Sequence, residues 1–196
     1  MIILGLDTTG PDCSACLIRG EDSLAYKSER IGRGHAERLA PMVADVLAEA
    51  GVTPSDIDRV AVCTGPGSFT GLRVALSFAK GFALPRRTPV LGFDALHIMA
   101  HQLIAEGRGA DVTVFRDVKR GEVFAARFKD GVPIALPQAM TLDQAQALSS
   151  DPLHPAETAD VRVMARMAMD ANPEGYVAEP LYSRGPDAKL PGGVTL

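Results

Sequence analysis

The chain has 196 residues, 46% of them hydrophobic, which is enough for one large domain or two small lobes with a buried core. Its 20 Lys and Arg stand against 24 Asp and Glu, a formal charge of −4, with no Trp and only 5% aromatics. That balance excludes a generic nucleic-acid or membrane-surface binder; any RNA contact would need a partner to supply most of the positive field.

Residues 2–6 are continuously apolar and run into Asp7-Thr8-Thr9-Gly10. This predicts a buried strand followed by a turn of short polar side chains. The run is short, lacks a basic start and is interrupted by Asp7, so it is not the pattern of a secretion signal. Nor does any run of about 18 apolar residues predict a membrane-spanning helix. Residues 13–18 and 23–29 are two further strands, completing a three-stranded meander. Leu39, Met42, Val43, Val46, Leu47 and Ala50 recur at helical spacing after Gly34, and Gly51 closes that helix. Residues 60–63 form a short buried strand that enters Thr64-Gly65-Pro66-Gly67-Ser68, and a second helix over 70–84 is stopped by Pro85. A strand at 90–93 and a helix at 95–105 complete a βββαβαβα order.

Beyond it, residues 112–115, 123–128 and 133–136 are expected as strands, and 141–148 and 161–170 as short helices. A Pro-containing stretch at 151–155 separates those helices. The tail from Pro180, with Pro186, Pro191 and Gly192-Gly193, is expected to be irregular. Three antiparallel strands followed by α/β units predict an α/β chain of ribonuclease H-like, actin-like (ASKHA) fold. Residues 1–100 would form its N-terminal lobe, and residues 101–196 a smaller, degenerate second lobe.

Two stretches could carry chemistry. Asp7, Thr8 and Thr9 at a strand end, with Gly65, Gly67 and Ser68 before a helix, could form a degenerate phosphate turn, since amides at a helix start can hold an anion. The spacing favours packing instead. There is no Lys for a Walker loop, and Gly65, Gly67 and Gly71 give G-x-G-x-x-x-G where a dinucleotide site needs G-x-G-x-x-G. Ser68 or Thr70 would then cap the helix, and the glycines would allow close approach.

His97 and His101 share a helix face at i, i+4, but no Glu, Asp or Cys completes a metal set, so no metal is expected. Cys13 and Cys16 would point to opposite faces of a strand and could share neither a metal nor a disulfide. With Cys63 they fit a reducing cytoplasm. No nucleophile motif serves His35 or His154.

The helix at 70–84 is the more telling feature. Leu72, Val74, Ala75, Leu76, Phe78, Ala79, Phe82 and Ala83 fill an arc of roughly 200°. A helix lying on one core needs about 100° or a little more. It should therefore be covered twice, by its own sheet and by either the first helix or another subunit.

The segments IILGLDTT (2–9), GHAERLAPMVADVLAEAG (34–51) and TGPGSFTGLRVALSFAKGFAL (64–84) follow one another in an order that resembles the TsaB (YeaZ) family of bacterial tRNA threonylcarbamoyladenosine biosynthesis proteins. DVKRGEVF at 117–124 resembles the family's DAR-x-G-E-V-Y element, with Val118 and Lys119 departing from it, and PLYSRGPDAKL at 180–190 resembles its C-terminal segment.

The resemblance implies a non-catalytic partner of the transferase TsaD. With TsaE and TsaC, that pair modifies the adenosine beside the anticodon of tRNAs reading ANN codons. It implies a heterodimer with TsaD, a homodimer when isolated, and tRNA contact only through the complex. It places docking on the two helices, at Leu39, Met42, Val43, Val46, Leu72, Arg73, Leu76, Ala79, Lys80 and Ala83. TsaD's metal ligands would fall near residues 94–99, out of register with His97 and His101. No cofactor is expected on the chain alone, and ATP only in the complex, because no second phosphate turn or adenosine loop stands between residues 106 and 181. The alternative is an independent actin-fold ATPase or an M22-type, glycoprotease-like metallopeptidase.

Overall fold

A computed structural model describes residues 1–118, 121–134, 137–148 and 152–182. Strands β1 (Ile2–Asp7), β2 (Asp12–Arg19) and β3 (Asp22–Arg30) form an antiparallel meander. Strands β4 (Arg59–Cys63) and β5 (Val90–Phe93) add in parallel on the other side of β1, giving the order β3-β2-β1-β4-β5. This is the ribonuclease H-like, actin-like arrangement that the sequence predicts.

Period-two alternation divides the sheet's side chains between two cores. Ile2, Leu4, Leu6, Cys13, Ala15, Leu17, Val60 and Val62 face helices α1 (His35–Ala50) and α2 (Phe69–Ala83). Ile3, Cys16, Ile18, Ala61, Cys63, Leu91 and Phe93 face helix α5 (Val161–Asp170) on the opposite side. Cys13 and Cys16 thus lie in different cores, as their spacing requires. Burial raises all three thiols, Cys13 to about 11 and Cys16 to about 12.

Each helix end has a local cause. Gly51, at φ 62, closes α1 by donating its amide to the carbonyls of Ala48 and Leu47. Ser68 starts α2 by accepting from the Gly71 amide. Leu84–Arg86 then tightens into a 3-10 turn around Pro85, so α2 ends one residue before the predicted stop.

Helix α3 (Ala95–Ala105) starts at Asp94, which accepts from the His97 amide, and leaves the first sheet for the second. There β6 (Asp111–Asp117) pairs antiparallel with β7 (Glu122–Lys129), and β8 (Val132–Pro133) and β9 (Gln138–Thr141) both pair with β7. Helix α4 (Leu142–Gln146) follows, and β10 (Leu153–Pro155) lies parallel to β6.

Strands β9 and β10 correct the sequence reading. β9 is largely exposed and polar, and β10 has only three residues, so neither shows an apolar alternation. The strand expected at 133–136 is confined to Val132–Pro133, and residues 135 and 136 lie outside the described residues. So do Lys119 and the tail residues Pro186, Pro191, Gly192 and Gly193.

By packing, α5 returns to the first sheet, although it lies in the C-terminal half of the chain. Gly5 makes this possible, because a Cβ there would lie 2.8 Å from both the Cys16 Sγ and the Val161 carbonyl oxygen. At the far end of α5, Arg59 donates to the carbonyls of Ala168, Met169 and Ala171. The segment after α5 covers the open edge of β5: Gly92 donates to the Tyr176 carbonyl, Leu181 to that of Thr64, and the Tyr176 ring packs on Phe93.

Candidate functional site

The turn after β1 and the loop after β4 meet at the start of α2. The Thr9 amide donates to Asp7 Oδ1 at 2.7 Å, and the Thr8 hydroxyl donates to the Gly71 carbonyl at 2.7 Å. The Ser68 amide donates to the Thr9 carbonyl at 2.8 Å, and the Gly71 amide to Ser68 Oγ at 3.2 Å. A Cβ on Gly67 would strike the Thr9 carbonyl oxygen, and one on Gly71 would strike that of Thr8. These two glycines therefore serve close packing. Asp7 is 4% exposed, and burial holds its carboxyl above the usual carboxylate range despite the nearby Arg116 charge and the hydrogen bonds from Thr9.

Arg116, on β6, closes the space between the two turns. Its Nε donates to the Ala156 carbonyl at 2.5 Å and its Nη2 to that of Glu157 at 2.6 Å. Its Nη1 reaches the Thr9 hydroxyl at 3.2 Å and the Pro66 carbonyl. The guanidinium forms the floor of a cleft of about 760 Å³ between the sheets, whose rim includes Arg30, Gly67, Ser68, Phe115 and Val118. Sequence reading passed over this residue. The signal was present, since Arg116 continues the period-two face of Val112 and Val114, both buried.

An actin-like fold implies a nucleotide whose phosphates would lie between these two turns. The residues present do not fit one. The amides of Thr9, Ser68 and Gly71 are spent within the protein, the glycines are filled by backbone, and a guanidinium spans from Thr9 to Pro66.

His97 and His101 pack tilted to each other, with ring centroids 5.0 Å apart, against the turn between β7 and β8, where His97 Nε2 lies 3.1 Å from the Gly131 carbonyl. His97 also stacks on Phe128. Burial lowers both imidazoles below their ordinary value, and His97 lowers His101 further. The pair thus packs α3 onto the second sheet. Among the described residues no group of three His, Cys, Asp or Glu side chains could hold a metal.

On the helices, the structure places Leu39, Met42, Val43, Val46, Leu72, Leu76, Ala79 and Ala83 in the chain's own core, each 5% exposed or less. They face the sheet because they form the central stripe of each helix. Arg73 and Lys80 are exposed. On the flank of α2, Val74, Phe78 and Phe82 are half-buried, and the two Phe rings stack at 6.0 Å. At the start of α2, Phe69 is 54% exposed. The Arg73 guanidinium lies 3.9 Å over its ring, and Tyr182 packs beside it.

Fold and site together define an actin-like domain in which the Arg116 side chain spans the two turns at the base of the cleft. Residues 28–183 match the family model described as "TsaD: tRNA N6-adenosine threonylcarbamoyltransferase". The chain is 34% identical to an uncharacterised protein of Mycobacterium tuberculosis, over 95% of this chain and 93% of that one. It is also 34% identical to the tRNA threonylcarbamoyladenosine biosynthesis protein TsaB of Escherichia coli, over 66% of this chain and 55% of that protein. The solved structure of YeaZ from Pseudomonas aeruginosa superposes with a TM-score of 0.77 at 25% identity, covering 92% of this chain and 99% of that one. The chain belongs to this family, in its TsaB (YeaZ) branch. Among the described residues no helix is long and apolar enough to cross a membrane.

Proposed function

We propose that this chain serves tRNA threonylcarbamoyladenosine biosynthesis as a non-catalytic docking subunit of a TsaD-type transferase. The observation that carries this reading is a contrast within one helix. At the cleft end of α2 the Ser68 and Gly71 amides are matched internally, whereas its flank leaves Val74, Phe78 and Phe82 half-uncovered. A face of stacked aromatic rings is the composition of an interface centre. The exposed Arg73 and Lys80 would set the polar rim.

In this reading the flank of α2, with the outer face of α1, docks the transferase, and the isolated chain pairs with its own copy through the same surface. TsaE and TsaC act alongside, tRNA is reached only through the complex, and ATP is handled there rather than in this chain's cleft. The chain would work in the cytoplasm.

The test is reconstitution of tRNA modification from the TsaC, TsaD and TsaE proteins of the same organism, with and without this chain. Modification is expected only when the chain is present. Full modification without it would overturn the proposal.

A further inference from the structure

We infer that Arg116 is a built-in ligand: its guanidinium, delivered from the second sheet, occupies the seat between the first sheet's two turns and holds them together. The geometry is that of a bound group rather than of an ion pair. Four of the five guanidinium donors are used, and all four acceptors are neutral, namely the Ala156, Glu157 and Pro66 carbonyls and the Thr9 hydroxyl. They come from three separate segments: the turn after β1, the loop after β4 and the residues after β10. The side chain is only 7% exposed.

The seat is also shaped for it. Gly10 lets the Glu157 carbonyl approach, since a Cβ there would lie 2.9 Å from that oxygen and 3.6 Å from Arg116 Nη2. Asp7, whose carboxyl feels the guanidinium's charge, accepts instead from the Thr9 amide. A lysine could not reproduce this pattern, because a compact ammonium cannot present a planar fork to acceptors on several sides.

A side chain that acts as a ligand can be cut off and supplied from solution. Arg116→Ala should lower Tm by roughly 10 °C, since it leaves several buried acceptors unpaired. Methylguanidinium should then raise Tm in that variant, along the logarithmic concentration dependence of a ligand bound only by the folded state. It should not raise Tm in the unmutated protein or in Arg30→Ala, and methylammonium should raise none of them. Arg116→Lys should recover less than half of the loss.

If the alanine variant is obtained only unfolded, refolding yield with and without methylguanidinium replaces Tm as the readout, with the same expectation. Rescue confined to Arg116→Ala supports the assignment. Absent rescue, or equal rescue of Arg30→Ala, overturns it, as does full recovery by lysine.

Discussion

The N-terminal turn of helix α2 and its flank stand in opposite conditions. At its start, backbone packs on backbone with no room for a side chain at Gly67 or Gly71, and amides, hydroxyls and the Arg116 guanidinium satisfy one another. Along its flank, two stacked Phe rings and Val74 sit half-exposed. The difference teaches where this chain can still act. A turn packed backbone against backbone offers a ligand little room, while an apolar flank gains free energy from whatever covers it.

Substitutions in the two places should break this comparison if it is wrong. The largest effect is expected of Gly71→Ala, where the new methyl meets the Thr8 carbonyl and backbone must shift. Chemical denaturation should show a loss of more than about 3 kcal/mol, or no folded protein at all. A loss under about 1 kcal/mol would mean that the two turns are not in close contact. Ser68→Ala, which removes one cap and leaves the packing in place, should cost about 1 kcal/mol by the same measurement. Arg73→Glu at the flank should cost only about 0.5–1 kcal/mol in the isolated chain, the worth of its contact with Phe69. A much larger loss would show that Arg73 is part of the chain's own fold.

The smallest effect sharpens the comparison by placing mild-acid sensitivity elsewhere. His97 and His101 are lowered in the folded state, so the unfolded chain binds protons more readily there. Their contribution is complete above the ordinary imidazole value of about 6.5 and is lost as pH falls below it. His101→Asn should therefore flatten the fall in Tm on mild acidification. An unchanged slope would show that the pair does not govern it.

Much of this architecture is legible in the residues themselves. The helices at 35–50, 95–105 and 161–170 and the strand at 90–93 follow from apolar periodicity, with Gly51 closing the first helix. β9 and β10 are not legible, because an exposed polar strand and a three-residue strand carry no periodic signal and exist only through pairing with β7 and β6. The wide apolar arc of α2 spans both the buried stripe and the half-buried Val74, Phe78 and Phe82. It does not say which residues the sheet takes, and the sheet takes Ala75, Leu76 and Ala79. Arg116 was hidden for a different reason: one charged residue ending an apolar strand looks like an exposed terminus, and only its register with Val112 and Val114 marks it as inward.

The central claim, that this chain acts through its flank and not through its cleft, is tested most directly by putting two charge variants into reconstituted tRNA modification. Phe78→Asp places a carboxylate in the flank, and Arg30→Glu reverses a charge on the cleft rim. With both variants shown to be folded, Phe78→Asp should lower modification by about 30-fold or more, the scale of a lost interface hot spot. Arg30→Glu should stay within about twofold of the unmutated protein. The reverse result, with the cleft variant dead and the flank variant active, would contradict the account.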